Sequence, residues 1–256
     1  MSIAPARIVG AGPRRLLAIH GWMGDHRLFE PFLAALDPTR FTCALLDCRG
    51  YGRRRGEAGE WTVAAIAHDA LALADGLGWD RFHGLGHSMG GMAVQRLMVD
   101  SPDRLQSAVL VAAVPASGAR LGPERRALLL EAIETPAARR RLIDINTGGG
   151  CDDAFLDRLV RLSLSASRPD ALKAYMDSWT GTDFAEEARG SRVPVLAVVG
   201  ARDPGAASAQ ALPPLYPALT LRVMAGSGHY PMQEEPAVLA TLVAGHILAC
   251  DGFPAA

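Results

Sequence analysis

The chain has 256 residues, 49% of them apolar, and a formal net charge of −1 at pH 7, a length that can bury a sizeable core in one domain plus a modest insertion. Charged residues make up 21% and are mixed in sign, which argues against a nucleic-acid partner or a strongly acidic one. With no run of about 18 apolar residues, no signal-peptide pattern, and Cys43, Cys48, Cys151 and Cys250 in neither disulfide nor zinc spacing, a cytoplasmic protein with free thiols and no membrane association is expected.

Short apolar runs alternate with longer amphipathic stretches, the pattern of an α/β fold with a mostly parallel sheet covered by helices. Residues 15–20 (RLLAIH) predict the first full strand, with one or two clipped strands before His20. Residues 41–47 predict the next, followed by Arg53-Arg54-Arg55 in what reads as a solvated loop. Thr62 is placed to cap a helix carrying Val63, Ile66, Ala67, Ala70, Leu71 and Ala74 at helical spacing, its end marked by Gly76 and Gly78. A strand over 81–87 runs into a helix that begins just after Ser88 and stops at Pro102. After a strand at 107–114 the alternation breaks. Residues 119–190 hold only helical segments, at 123–134, 137–145, 152–165 and 169–179, with NTGGGCDD (146–153) as the expected flexible joint. Strands at 193–200 and 219–226 and a helix at 236–250 complete the chain. The expected division is a core of 1–118 and 191–256 with a helical insertion at 119–190. Strand runs this apolar suit burial on both faces.

Chemistry concentrates at GHSMGG (86–91), where a strand ends and a helix begins. Gly86-His87-Ser88-Met89-Gly90 is a GxSxG pattern in that setting. A serine on so tight a turn needs an unusual backbone, and glycines two residues away on either side remove the collisions. The helix N-terminus beside it favours a developing negative charge. A lone serine is a poor nucleophile and needs a base, itself oriented by a carboxylate. Asp203, after the strand at 193–200, and His229, in GSGHYP after the last strand, would meet Ser88 at the carboxyl edge of a parallel sheet. His83 and His87 are four apart on a strand, too far apart to share a zinc ion. His68 and His246 fall within amphipathic helices, and Asp183, which precedes a strand, is the rival acid.

Five stretches together resemble the α/β-hydrolase superfamily: HGWMGDHRLF (20–29), DCRGYGRR (47–54), GHSMGG, GARDP (200–204) and GSGHYPMQEEP (226–236). The resemblance implies an α/β-hydrolase fold, with a helical cap at 119–190, and a cap-containing serine esterase or lactonase. By it, Ser88 is the nucleophile, His229 the general base and acid, Asp203 the group orienting His229, and the N–H groups of Trp22 and Met89 the oxyanion hole. Asp47 and Arg49 would brace the turn after their strand. Trp22, Met23, Met89 and Tyr230 would line the acyl pocket; Leu164, Tyr175, Met176 and Trp179 of the insertion would line it or belong to the core. A serine at position 88 speaks against the branches that use an aspartate nucleophile. The implied substrate is a small molecule, an ester, lactone or thioester of a largely apolar acyl group, with neither metal nor cofactor required. Two alternatives stand beside it: carbon–carbon bond hydrolysis of a vinylogous diketone, for which no basic pocket residue stands out, and a non-catalytic binding protein on the same fold.

Overall fold

In the computed structural model, which describes residues 3–251, the apolar runs form one seven-stranded sheet. The strands are β1 (Arg7–Val9), β2 (Arg14–Ile19), β3 (Phe41–Leu46), β4 (Phe82–His87), β5 (Leu105–Val111), β6 (Val195–Gly200) and β7 (Leu219–Met224). They lie in the order β1-β3-β2-β4-β5-β6-β7. Every neighbouring pair is parallel except β1 with β3, where Ile8 stands opposite Ala44. The three-residue β1 is the clipped strand expected before His20.

Parallel pairs need crossover connections, and α-helices provide them except between β6 and β7, where the crossover holds a short 3-10 helix at Ala206–Ala211. The helices are α1 (Glu30–Ala34), α2 (Val63–Gly76), α3 (Met89–Asp100), α4 (Pro123–Glu134), α5 (Pro136–Asn146), α6 (Asp153–Ala166), α7 (Pro169–Gly181), α8 (Ala185–Ala188), α9 (Pro231–Glu234) and α10 (Pro236–Cys250). Thr62 caps α2 by accepting the Ala65 N–H at 3.1 Å, and Gly78 turns away beyond its end at φ 66°. Strand alternation sorts side chains into two apolar layers. Leu17, Ile19, Leu110 and Ala197 pack with Ile66, Leu73, Met92 and Leu97 of α2 and α3. Leu16, Ala18, Val109 and Val198 pack with Phe32 of α1 and Leu239 and Val243 of α10. The helices between β5 and β6 contribute to both layers, through Leu129 and Leu172 on one side and Ile143 and Leu156 on the other, so they straddle the sheet.

Four expectations need correction. The strand expected to reach 114 ends at Val111, because Ala112 takes φ 45° and leads the chain out of the sheet, although its N–H still bonds Val198 O at 2.8 Å. β7 is an edge strand, so its apolar run is not buried on both faces and Val223 is 61% exposed. Within the basic run Arg54 is buried, paired with Asp69 of α2 at 2.8 Å, while Arg53 and Arg55 are exposed. The glycine-rich segment expected as a flexible joint is docked: Asn146 O accepts the His229 N–H at 2.8 Å, and Gly148, at φ 72°, lies against Arg202. No helix of the described residues is long and apolar enough to cross a membrane. All four cysteines are free thiols.

Candidate active site

Ser88 occupies the single residue between β4 and α3, at φ 52° and ψ −115°. Only Ser88 and Ala112 among the described non-glycine residues have positive φ, a strain typically of about 1–3 kcal/mol held in place by surrounding structure. Here the hold is a set of backbone bonds: Ser88 N–H to Val111 O at 2.9 Å, and Ser88 O accepting from Gly91 N at 3.0 Å and Val114 N at 3.1 Å. The flanking glycines have the steric reason expected of them. A Cβ on Gly86 would stand 2.2 Å from Gly90 O, and one on Gly90 would stand 2.4 Å from Ile19 O. Met89 opens α3, so its N–H belongs to the first turn, which has no intrahelical acceptor.

Asp203 follows β6, and its Oδ2 accepts from His229 Nδ1 at 2.8 Å while Oδ1 accepts from Gly205 N at 2.7 Å. Burial acts to raise the pKa of this carboxyl, but the charge and hydrogen bond of His229 and the Gly205 N–H outweigh it and leave the pKa below the ordinary value. Asp183, the rival acid, lies instead beside Arg120 at 3.7 Å. The backbone around His229 is held from three directions. Its N–H donates to Asn146 O, an otherwise unpaired C-terminal carbonyl of α5. Its carbonyl accepts from His87 Nε2 at 2.8 Å. On either side, Gly228 N and Tyr230 N donate to the two carboxylate oxygens of Glu234, each at 2.8 Å. His87 is fully enclosed, and burial pushes its pKa down to about 3, so the ring is neutral and its one proton sits on the donating Nε2. Sequence reasoning missed His87, Glu234 and Asn146 as supports of the histidine loop. Only Glu234, in the first helical turn after the loop, carries a local signal, the habit of acidic side chains to satisfy N–H groups at helix starts.

The loop after β2 is braced by His20, whose Nε2 accepts from Cys48 N–H at 3.0 Å and whose Nδ1 donates to Gly21 O at 2.8 Å. Burial lowers the His20 pKa and keeps the ring neutral for that role. Trp22 follows, its indole donating to Leu172 O at 2.7 Å and its ring set edge-on to Trp179 at 5.8 Å. Asp47 ties this loop to the next by accepting from His26 N and Arg53 N, each at 2.8 Å, and Arg49 pairs with Asp69 at 2.6 Å, so both brace the turn as expected. Asp25, His26 and Asp47 lie close enough together to hold a cation. Their donor atoms are already engaged, however, with Asp25 forked by Arg27 at 2.7 Å and Asp47 bound to His26 Nδ1 at 2.9 Å.

Ser88, Asp203 and His229 open onto one cavity of about 710 Å³, lined also by Trp22, Met23, Trp179 and Tyr230. Cavities of this size suit small organic molecules. Met89, expected as a pocket side chain, and Tyr175 and Met176, for which the sequence leaves pocket and core both open, pack in the core and do not line the cavity. On α7, Leu172, Tyr175, Met176 and Trp179 form one stripe at spacings of three and four. Tyr175 packs on Tyr51 at 5.6 Å, and only the far end of the stripe, at Trp179, reaches the cavity. Leu164 is on the surface, 39% exposed. His83 bonds Ser107 Oγ at 2.8 Å, and His68 faces solvent.

Comparison with known proteins matches residues 16–242 to the sequence profile described as the alpha/beta hydrolase family. A curated relative from Cupriavidus necator, the dihydrolipoyllysine-residue acetyltransferase component of an acetoin cleaving system, is 29% identical over 252 residues; the match covers 93% of this chain and 64% of that protein. A pimeloyl-[acyl-carrier protein] methyl ester esterase from Serratia marcescens is 25% identical over 253 residues, covering 94% of this chain and 96% of the relative. Among solved structures, an esterase from Exiguobacterium antarcticum superposes with a TM-score of 0.85 over 94% of each chain at 19% identity, a likeness that speaks for the fold.

Proposed function

The chain belongs to the alpha/beta hydrolase family, and from that premise we propose that it is a serine hydrolase of carboxylic ester-type bonds, acting through Ser88, His229 and Asp203. One observation carries this reading: a serine on a strained strand-to-helix turn shares a cavity with a histidine whose Nδ1 is held at 2.8 Å by a buried carboxylate. The esterase named among the curated relatives that match most of the chain supports the bond type.

In this reading His229 takes the Ser88 hydroxyl proton as Oγ attacks the ester carbonyl, and the N–H groups of Trp22 and Met89 receive the oxyanion. His229 then passes the proton to the leaving alcohol. A water activated by the same histidine releases the acid from Ser88. Asp203 holds the tautomer with Nδ1–H inward and stabilises the imidazolium. The helices over 119–190 act as a cap, and Trp22, Met23 and Trp179 favour an apolar acyl group of an ester, lactone or thioester, without metal or organic cofactor. The enzyme works in the cytoplasm on a small molecule.

The test is a burst and steady-state assay with p-nitrophenyl esters of increasing acyl length on the wild type and Ser88→Ala. Turnover should fall by at least about a thousandfold in the variant, the order expected when one member of a triad is removed. A variant within tenfold of the wild type would refute the assignment. A folded wild type inert to every ester would move the reading to carbon–carbon hydrolysis or to ligand binding without catalysis.

A further inference from the structure

The arginines of α4 and α5 differ in what balances their charge. Those on the outer surface have acidic partners: Arg126 with Asp177 at 3.0 Å, Arg140 with Asp157 at 3.1 Å and Arg141 with Glu131 at 3.0 Å. The buried Arg139 donates to Ala132 O at 2.8 Å and Ile133 O at 3.2 Å, the C-terminal carbonyls of α4, where the helix dipole welcomes a cation. Arg125 has neither kind of compensation. It stands in the first turn of α4, the end where the dipole opposes a cation. Its side chain is partly buried in the cavity wall that also includes Ser88 and His229. It donates to the neutral Asn146 Oδ1, and among the described residues no carboxylate forms an ion pair with it. Burial draws its pKa below the ordinary value, with Asp203 and Tyr230 acting on it only through space.

Resting on the hydrolase reading above, we infer that the substrate carries a carboxylate that seats on Arg125, with an apolar spacer lying along Leu129, Leu142 and Trp179 toward Ser88. A guanidinium has five N–H donors, and its planar edge matches a carboxylate. Asn146 holds the group in place from one side. An anion there offsets the desolvated charge and is also favoured by the N-terminus of α4. The carboxylate could belong to the acyl part, as in the half-ester of a dicarboxylic acid, or to the alcohol part, as in an ester of a hydroxy acid.

Two substrate pairs separate those sources, followed by proton release: monomethyl adipate against methyl hexanoate for the acyl side, and 4-(butanoyloxy)butanoate against butyl butanoate for the alcohol side. In one pair the wild type should prefer the acid. Arg125→Gln should lower the acid-to-neutral ratio of kcat/KM by about tenfold to a hundredfold, mainly through KM, the range for a hydrogen-bonded charge, and Arg125→Lys should recover part of it. Adipate against adipamide, titrated by the fluorescence of Trp22 and Trp179 in the cavity wall, gives a reading independent of turnover. Adipate bound more tightly than adipamide by the wild type, and no longer by Arg125→Gln, supports the site even if no ester is hydrolysed. That combination would count against the hydrolase reading alone. Equal binding of adipate and adipamide by the wild type, or ratios in both pairs unmoved by Arg125→Gln, would overturn the inference.

Discussion

Replacing Ser88 with glycine should raise the stability of the protein while silencing it. Ser88 sits at φ 52° and ψ −115°, where a side chain typically costs about 1–3 kcal/mol and glycine is nearly unstrained. Glycine gives back about 0.4–1 kcal/mol through the greater freedom of the unfolded chain. The difference leaves a net gain of about 1 kcal/mol, or an increase in Tm of roughly 2–4 °C for a chain of this size. Ser88→Ala is the control, since it removes the same hydroxyl but keeps the β-carbon and therefore the strain. Both variants would be compared by thermal and urea unfolding, with esterase activity confirming that each is inactive. If Ser88→Gly proved no more stable than Ser88→Ala, the turn would not be storing strain, and the fold would not be holding Ser88 in a costly conformation.

Acid should destabilise the protein well above the carboxylate range. His83 and His87 are buried and neutral, with pKa values pushed down by burial to about 4 and about 3 from 6.5. The unfolded chain therefore binds these protons first, and stability that is complete above pH 6.5 is lost as pH falls. By pH 5 each histidine removes about 2 kcal/mol. His83→Gln should lose about 2 kcal/mol less stability than the wild type between pH 7 and pH 5, the buried His20 and His87 still taking up protons on unfolding, and equal losses in urea titrations would contradict the account. Glu234→Ala leaves the Gly228 and Tyr230 N–H groups without their acceptor and loosens the loop that carries His229. Steady-state kinetics should show kcat about tenfold to a hundredfold lower with KM within threefold, partly rescued in Glu234→Gln; a kcat within twofold of wild type would deny Glu234 its positioning role.

Much of the architecture was legible because it rests on short-range physics. Thr62, Gly78, Pro102 and Pro236 mark helix ends by capping and ring geometry, and period-two apolar runs place Leu16 and Leu17 on opposite faces of one sheet. Ser88 was legible because the turn that carries it leaves a local pattern of glycines, Gly86 answering to Gly90 within the turn itself, although Gly90 answers to Ile19 at the end of β2. What was hidden depends on where separate elements meet. β7 carries Thr220 and Arg222 among its apolar residues where β6 carries no polar side chain, but only the order of the sheet gives β7 one neighbour and β6 two. Tyr175 and Trp179 share a helical stripe, and only the packing of α7 decides which of them reaches the cavity. Arg125 reads like Arg126 beside it; a rotation of one residue around α4 turns one toward the cavity and leaves the other paired with Asp177.

The bond between His229 N–H and Asn146 O joins parts of the chain that are far apart in sequence. The segment between β5 and β6 has the ends that make trimming or exchange easiest, since both return to adjacent strands. Here that freedom is curtailed. A grafted segment that enclosed an equally good pocket would still leave the histidine loop without an acceptor unless it ended a helix at the same point, and Gly228 would have to accept the new backbone where a Cβ would now stand 2.5 Å from Asn146 O. On the proposed reading, specificity and reactivity are therefore inherited together, and exchanging the first for a relative's puts the second at risk.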